Sequence, residues 1–302
     1  MSEGNSISPE ILRQVKRIEL RTRGLVNSRF VGEYHSVFKG QGMEFSEVRE
    51  YQPGDEVRTI DWNVSARMRR LFVKRYVEER ELTVLLIVDC SGSSRFGTGE
   101  RDKQALAAEL AAVLALTATR NNDRVGLMLC SDRIEHVVPP RKGRRHALRL
   151  VRDVLAWPTT SRGTNLALAL EYASRVLTHR ALVFVISDFV SAPMDRPLRL
   201  LAQRHDLVAV VLDDPGERAL PDLGVARLVD PETGRYVEID TSASSVRSRY
   251  GRELADERAA RQQLLRRLAI DEVLVRTETG YAEPLLRFFN TRETRGRKTR
   301  RR

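Results

Sequence analysis

The sequence predicts an α/β fold: a mostly parallel central sheet flanked by helices, with an N-terminal turn-rich platform and a C-terminal hairpin and helix extension. Three observations carry that expectation. Between residues 82 and 212, apolar runs alternate with segments of helical periodicity, the pattern of a sheet covered by helices. The runs are dense in Val, Leu and Ile rather than alternating with polar residues, as strands buried on both faces require. Acidic residues follow directly where two of them stop, at Asp89 and Asp188.

Taken in order, residues 8–20 carry Ile11, Val15 and Ile18 at helical spacing. The next fifty residues are interrupted by Gly32, Gly40, Gly42, Pro53 and Gly54, which predicts a platform of turns leading into a strand at 71–77. Within it, Gln52-Pro53-Gly54-Asp55 reads as a turn, and Arg49, Asp55, Arg58 and Asp61 as a charge network around Trp62. The core strands are expected at 82–88, 125–130, 181–187 and 207–212, with a shorter one at 134–138. Helices are expected at 103–120, around Leu148, Val151 and Leu155, from Leu166 to Leu177, and at 197–204. Beyond the core, strands at 225–229 and 236–239 flank Asp230-Pro231-Glu232-Thr233-Gly234, a hairpin turn. A charged helix at 242–268, a strand at 272–276 and a helix at 283–290 follow. The expected division is residues 1–80 for helix and platform, 81–215 for the sheet core, 216–290 for the segment completing it, and 291–302 for a basic tail.

At 302 residues, 41% hydrophobic and 31% charged, the chain has enough apolar content for a substantial core, which argues against disorder throughout. No window approaches the roughly 18–20 apolar residues of a membrane span, and the N-terminus lacks an apolar signal core, so no membrane insertion and a cytoplasmic address are expected. Cys90 and Cys130 have no zinc-ligand spacing and read as buried thiols. Much of the +11 net charge sits in residues 291–302, where seven basic residues face only Glu293. The simplest reading is a disordered, solvated tail; the rival is a nucleic-acid-binding adaptor that uses this tail for sequence-independent attraction.

The chemistry-bearing stretch is Ile87-Val88-Asp89-Cys90-Ser91-Gly92-Ser93-Ser94. In an extended segment Asp89, Ser91 and Ser93 share a side, so three oxygens can face one point at the carboxyl end of a strand, where open α/β sheets gather functional groups. Hard cations such as Mg²⁺ take an all-oxygen shell of about six ligands and retain waters. Thr164, before the helix at 166, and Asp188, after the strand at 181–187, stand where they would supply the rest. The competing readings are local: Thr164 or Asp188 as caps, Ser91 and Ser93 as partners of loop amides.

Asp89-x-Ser91-x-Ser93, then Thr164, then Asp188, resembles the metal-ion-dependent adhesion site of von Willebrand factor A domains. The long motif GQGMEFSEVREYQPGDEVRTIDWNVSAR (residues 40–67), followed by LFVKRYVEERE, DPETGRYVEIDT and PLLRFFNTR, is similar to the bacterial family known as domain of unknown function 58. Ser94 departs from the Met expected there in many relatives, but it is not a ligand position. The resemblance implies a von Willebrand factor A-like sheet, a divalent cation, and association with MoxR-type AAA+ ATPases that assemble or mature other complexes. Many relatives carry N-terminal membrane helices; a soluble short form is expected here.

Binding rather than catalysis is expected. His35, His136, His146, His179 and His205 are dispersed, and the nucleotide-binding, zinc-protease and serine-esterase motifs are lacking. The expected function is a non-enzymatic, metal-dependent protein-interaction module. Mg²⁺ or Mn²⁺ would be held by Asp89, Ser91, Ser93, Thr164 and Asp188 and would accept a Glu or Asp carboxylate from a client protein. Trp62 and Arg67 are candidate partner contacts. Asp132 and Asp213, near strand ends, keep a metal-dependent phosphohydrolase as a minority alternative.

Overall fold

The computed structural model describes residues 9–26, 30–38, 44–77, 81–99, 101–158, 161–191 and 193–300. Helices α1 (Pro9–Leu25) and α2 (Val31–Phe38) come first. On α1, Val15 and Ile18 are buried, and the buried Thr22 hydroxyl donates to the Ile18 carbonyl at 2.9 Å. The platform is an antiparallel pair, β1 (Glu44–Glu50) and β2 (Phe72–Val77), joined through a short helix α3 (Trp62–Met68). The Gln52–Asp55 turn is closed as its sequence requires: Asp55 accepts the Gln52 amide at 2.9 Å and pairs with Arg49 at 2.6 Å. Asp61, expected in a charge network around Trp62, caps α3 by accepting from the Asn63 and Val64 amides. Trp62 itself stands 64% exposed.

The main sheet contains β3 (Thr83–Asp89), β4 (Arg124–Cys130), β5 (Ile134–Arg141), β6 (Leu182–Ser187), β7 (Asp206–Asp213) and β10 (Asp271–Arg276), in the order β10-β7-β6-β3-β4-β5. Every pairing is parallel except β4 with β5, which closes one edge as an antiparallel strand. The strands are linked by α4 (Lys103–Arg120), α5 (Arg144–Ala156), α6 (Leu166–Val176) and α7 (Asp195–Arg204). Before β10 the chain makes a separate antiparallel hairpin, β8 (Val225–Val229) with β9 (Tyr236–Asp240), then the long helix α8 (Ser244–Arg267). Helix α9 (Ala282–Arg300) closes the fold.

Alternation along β3 divides the core in two. Val84, Leu86 and Val88 face the layer containing α1, α2, α4, α5 and α9; Leu85 and Ile87 face α6, α7 and α8. Both faces are dry, which explains the uninterrupted apolar runs. Helix α4 is wedged between sheet and outer helices, so its Leu, Ala and Val residues are buried almost all round rather than along one stripe.

The closing helix differs from expectation. It was expected to end near Asn290 and give way to a disordered basic tail; instead α9 runs to Arg300. Tertiary partners extend it: Arg292 is ion-paired with Asp206, lies 3.6 Å from Asp271, and covers the Phe38 ring at 4.8 Å, while Arg295 reaches Asp271 at 2.9 Å. Phe289, fully buried, packs edge-on against Phe30 and Phe38 at 5.8 and 6.1 Å. This aromatic cluster pins the N-terminal helices to the end of the chain. Phe289→Ala is expected to cost about 3–5 kcal/mol, read as a lower urea midpoint with unchanged slope.

Candidate functional site

In strand order, the chain leaves β3 toward β4 on one side and returns to β6 on the other, so the topological switch point lies between the carboxyl ends of β3 and β6. Those ends carry Asp89 and Ser187-Asp188. Asp89 is 4% exposed; one carboxylate oxygen accepts the Ser91 amide at 2.9 Å and the other accepts the Ser187 hydroxyl at 2.7 Å. Ser187 in turn accepts the Phe189 amide at 2.9 Å, stitching the two strand ends together. Phe189 has φ of +60°, an uncommon backbone for a bulky residue, held by the two turns at Ser187 and Asp188.

The loop after β3 is equally fixed. Ser91 and Ser93 bring their hydroxyl oxygens within 3.1 Å of each other. Ser94 is buried and ties the turn by donating its hydroxyl to the Ser91 carbonyl at 2.7 Å. The Gly92 amide donates to the Arg162 carbonyl at 2.8 Å, so the loop 161–165 that bears Thr164 abuts the Asp89 loop. A Cβ at Gly92 would stand 3.1 Å from that Arg162 oxygen and collide with the Pro231 carbonyl, which explains glycine there. Thr164 is not the cap of α6, since Asn165 fills that role by accepting the Leu168 amide. Its hydroxyl instead donates to Glu232, at the tip of the β8–β9 hairpin.

Asp188 completes the floor. One of its oxygens accepts the Val190 amide at 3.1 Å; the other accepts the Lys103 ammonium at 2.9 Å. Lys103 is 1% exposed and also reaches Glu217 at 2.5 Å. Burial alone would lower the lysine's pKa, but Asp188 and Glu217 outweigh it and raise it, so Lys103 is charged. Burial pushes Asp89 up to about 6, and the neighbouring charge of Asp188 adds to the push. The site therefore has a buried floor of Asp89, Ser91 and Asp188, a half-buried rim of Ser93 and Thr164, and more negative charge than Lys103 neutralises. Among the described residues, no three His, Cys, Asp or Glu side chains gather as a metal cluster. The donor set here is two carboxylates and three hydroxyls, the chemistry of a hard-cation site.

The loops carrying the five expected ligands are thus brought together. Trp62 and Arg67 lie on the exposed side of α3. Of the two extra acids, Asp213 is held by Arg218 and Arg258 at 2.9 and 3.0 Å, and Asp132 pairs with Arg133 at the rim. His136 stacks on Trp157 and faces Asp153, His146 bonds the Val125 carbonyl, and His205 accepts the Ala181 amide. Sequence reasoning missed Ser187, Lys103, Glu217 and Glu232. Ser187 was legible as the last residue of an apolar strand; Lys103 and Glu217 meet Asp188 only through folding.

The sheet order, with its antiparallel edge and helices on both faces, is that of an α/β fold of von Willebrand factor A-like architecture. Within that class the chain belongs to the DUF58 family, described as "Protein of unknown function DUF58", whose pattern matches residues 47–260. It is 31% identical over 296 residues to an uncharacterized protein of Mycobacterium tuberculosis, covering 97% of this chain and 93% of that one. Among solved structures it is similar to a conserved hypothetical protein, BatB, of Bacteroides thetaiotaomicron: TM-score 0.49, 14% identity, 70% of this chain and 99% of that one. It is also similar to the VWA domain of SpRpn10: TM-score 0.33, 14% identity, 44% of this chain and 76% of that one.

Two stability effects follow. Lys103→Met leaves Asp188 and Glu217 without their buried cation and is expected to cost about 3–5 kcal/mol in urea unfolding. Asp89 holds its proton more tightly folded than unfolded, so its stabilisation is present below the ordinary carboxylate range near pH 4 and is lost as pH rises through about 6. In chelator at pH 7.5, Asp89→Asn is therefore expected to be more stable than the parent, by up to about 3 kcal/mol, with the difference vanishing near pH 4.

Proposed function

We propose that this chain is a non-enzymatic, metal-dependent protein-interaction module. In this reading Asp89, Ser91, Ser93, Thr164 and Asp188 hold Mg²⁺ or Mn²⁺, and a Glu or Asp of a partner completes the ion's shell. The observation that supports it best is the pair of buried acids at the switch point, stitched by Ser187 and carrying surplus negative charge beside converging hydroxyls. A bound cation would offset both the burial and the neighbouring Asp188 charge that raise Asp89, and its positive charge would give a partner carboxylate an attractive target. The partner we propose is a MoxR-type AAA+ ATPase, or a client that such an ATPase assembles or matures, with exposed Trp62 and Arg67 as a second contact.

Two features favour binding over the rival readings. Of the two extra acids a hydrolase would use as a base, Asp213 is engaged by Arg218 and Arg258, and Asp132 is paired with Arg133. Arg292 and Arg295, the start of the basic segment that would attract nucleic acid, are spent on Asp206 and Asp271.

Calorimetry should show Mg²⁺ or Mn²⁺ binding to the parent and none to Asp89→Ala. Immobilised protein should retain an ATPase or client from lysate that chelator releases. Equal metal binding by the parent and Asp89→Ala would reject the site; chelator-insensitive retention would reject the ion as the bridge.

A further inference from the structure

Above the rim of the candidate site lies an acid of this same chain. The β8–β9 hairpin forms its own two-stranded sheet, apart from the main one. Its strands are largely exposed: Val225, Val229, Tyr236 and Val237 are between 58% and 72% accessible. A hairpin this short is marginal without support. It has support at its two ends. At the base, Thr241 bonds Gly224 through its amide and its hydroxyl, both at 2.8 Å, and Arg247 holds Asp222 at 3.1 Å. At the tip, Asp230 folds the turn by accepting the Glu232 amide at 2.9 Å and the Thr233 hydroxyl at 2.6 Å, with Gly234 at φ +70°. That turn presents Pro231 against Gly92 and the Glu232 carboxylate to the Thr164 hydroxyl. Glu232 is half-buried in a turn whose neighbouring residues are exposed.

From this geometry we propose that the hairpin is a latch and that Glu232 is the resident carboxylate of the ion site, placed where a partner's acid would dock. The inference rests on the metal reading given above and deepens it. Thr164 is one of the proposed ligands, so a carboxylate bonded to it is adjacent to any ion the site holds. The ion would then tie the tip down, and a partner would gain the site by displacing Glu232. The exchange of one carboxylate for another leaves the charge of the shell unchanged, so the partner need supply only the difference in contact energy. The strands between base and tip are largely exposed, which makes release local rather than a rearrangement of the sheet.

The test uses the full chain and Mn²⁺ as the probe, with calorimetry and amide hydrogen exchange over residues 225–240, on the parent, Glu232→Gln and Gly92→Ala. Mn²⁺ is expected to slow exchange in the parent hairpin. Glu232→Gln is expected to bind Mn²⁺ about tenfold more weakly, with hairpin exchange no longer responding to the metal. Gly92→Ala, whose added methyl displaces Pro231, should speed exchange of the tip before metal is added. Should Glu232→Gln bind Mn²⁺ as the parent does and keep the same metal-dependent protection, the latch is wrong while the ion site stands. Should the parent bind no Mn²⁺, the ion site itself is wrong and the latch falls with it.

Discussion

Two adjacent parallel strands bury Asp89 at the carboxyl end of the sheet and set it in the field of Asp188, and much of the surrounding structure answers that cost. The loss of water makes Asp89 costly to ionise, and the charge of Asp188 adds to that cost. Ser187 meets part of that cost through its hydroxyl, and Lys103 meets the part on Asp188. Lys103 reaches the site because α4 starts directly behind it, capped by Asp102, and then runs buried between sheet and outer helices. An ammonium with 1% exposure is tolerable only with both acids in place. Structure and site are therefore coupled: the lysine that holds the floor together is also the charge that sets how much negative charge the floor retains.

The division between floor and rim shapes what the site can do. Asp89, Ser91 and Asp188 are sealed from water, whereas Ser93 and Thr164 face outward. A ligand approaching from solvent meets hydroxyls before carboxylates, and the hairpin tip before either. In the proposed reading, an incoming acid would compete at the rim with the chain's own turn. The groove beside it, about 700 Å³ and lined by Phe189, Val211, Tyr250 and Leu264 among others, opens next to Asp188. Helix α8 forms one wall of that groove and follows the hairpin directly, with Arg247 on its first turns clamping the hairpin base. Hairpin, groove wall and site edge are thus mechanically continuous.

The two ends of the chain are joined in a way that makes the outer layer a single unit. Phe289 on α9 packs against Phe30 and Phe38, and Arg292 one turn later covers Phe38 while pairing with Asp206 at the start of β7. The N-terminal helices are therefore part of the sheet's covering layer and not an appendage of the platform. The platform has its own local logic, a hairpin closed by Arg49 and Asp55 and a short helix capped by Asp61, which leaves Trp62 facing solvent.

Sequence alone determined whatever depends on neighbours along the chain. Strands buried on both faces must be apolar throughout, helices covering them must repeat every three to four residues, and turns must contain residues that tolerate turning; those constraints are written locally. They marked the sheet, the hairpin at 225–240 and the acid-hydroxyl loop at Asp89. The oxygen-rich residues at three strand-edge loops were legible too, because a fixed spacing at a strand end limits where side chains can face. Only the tertiary structure decided which charges meet. Lys103 with Asp188 and Glu217, Arg292 with Asp206, and Glu232 with Thr164 are separated by 68 to 114 residues, and no periodicity encodes such pairs. The same holds for α9 beyond Asn290: its composition reads as a solvated tail, and it becomes helix because Asp206 and Asp271, brought side by side by β7 and β10, give its arginines somewhere to bind.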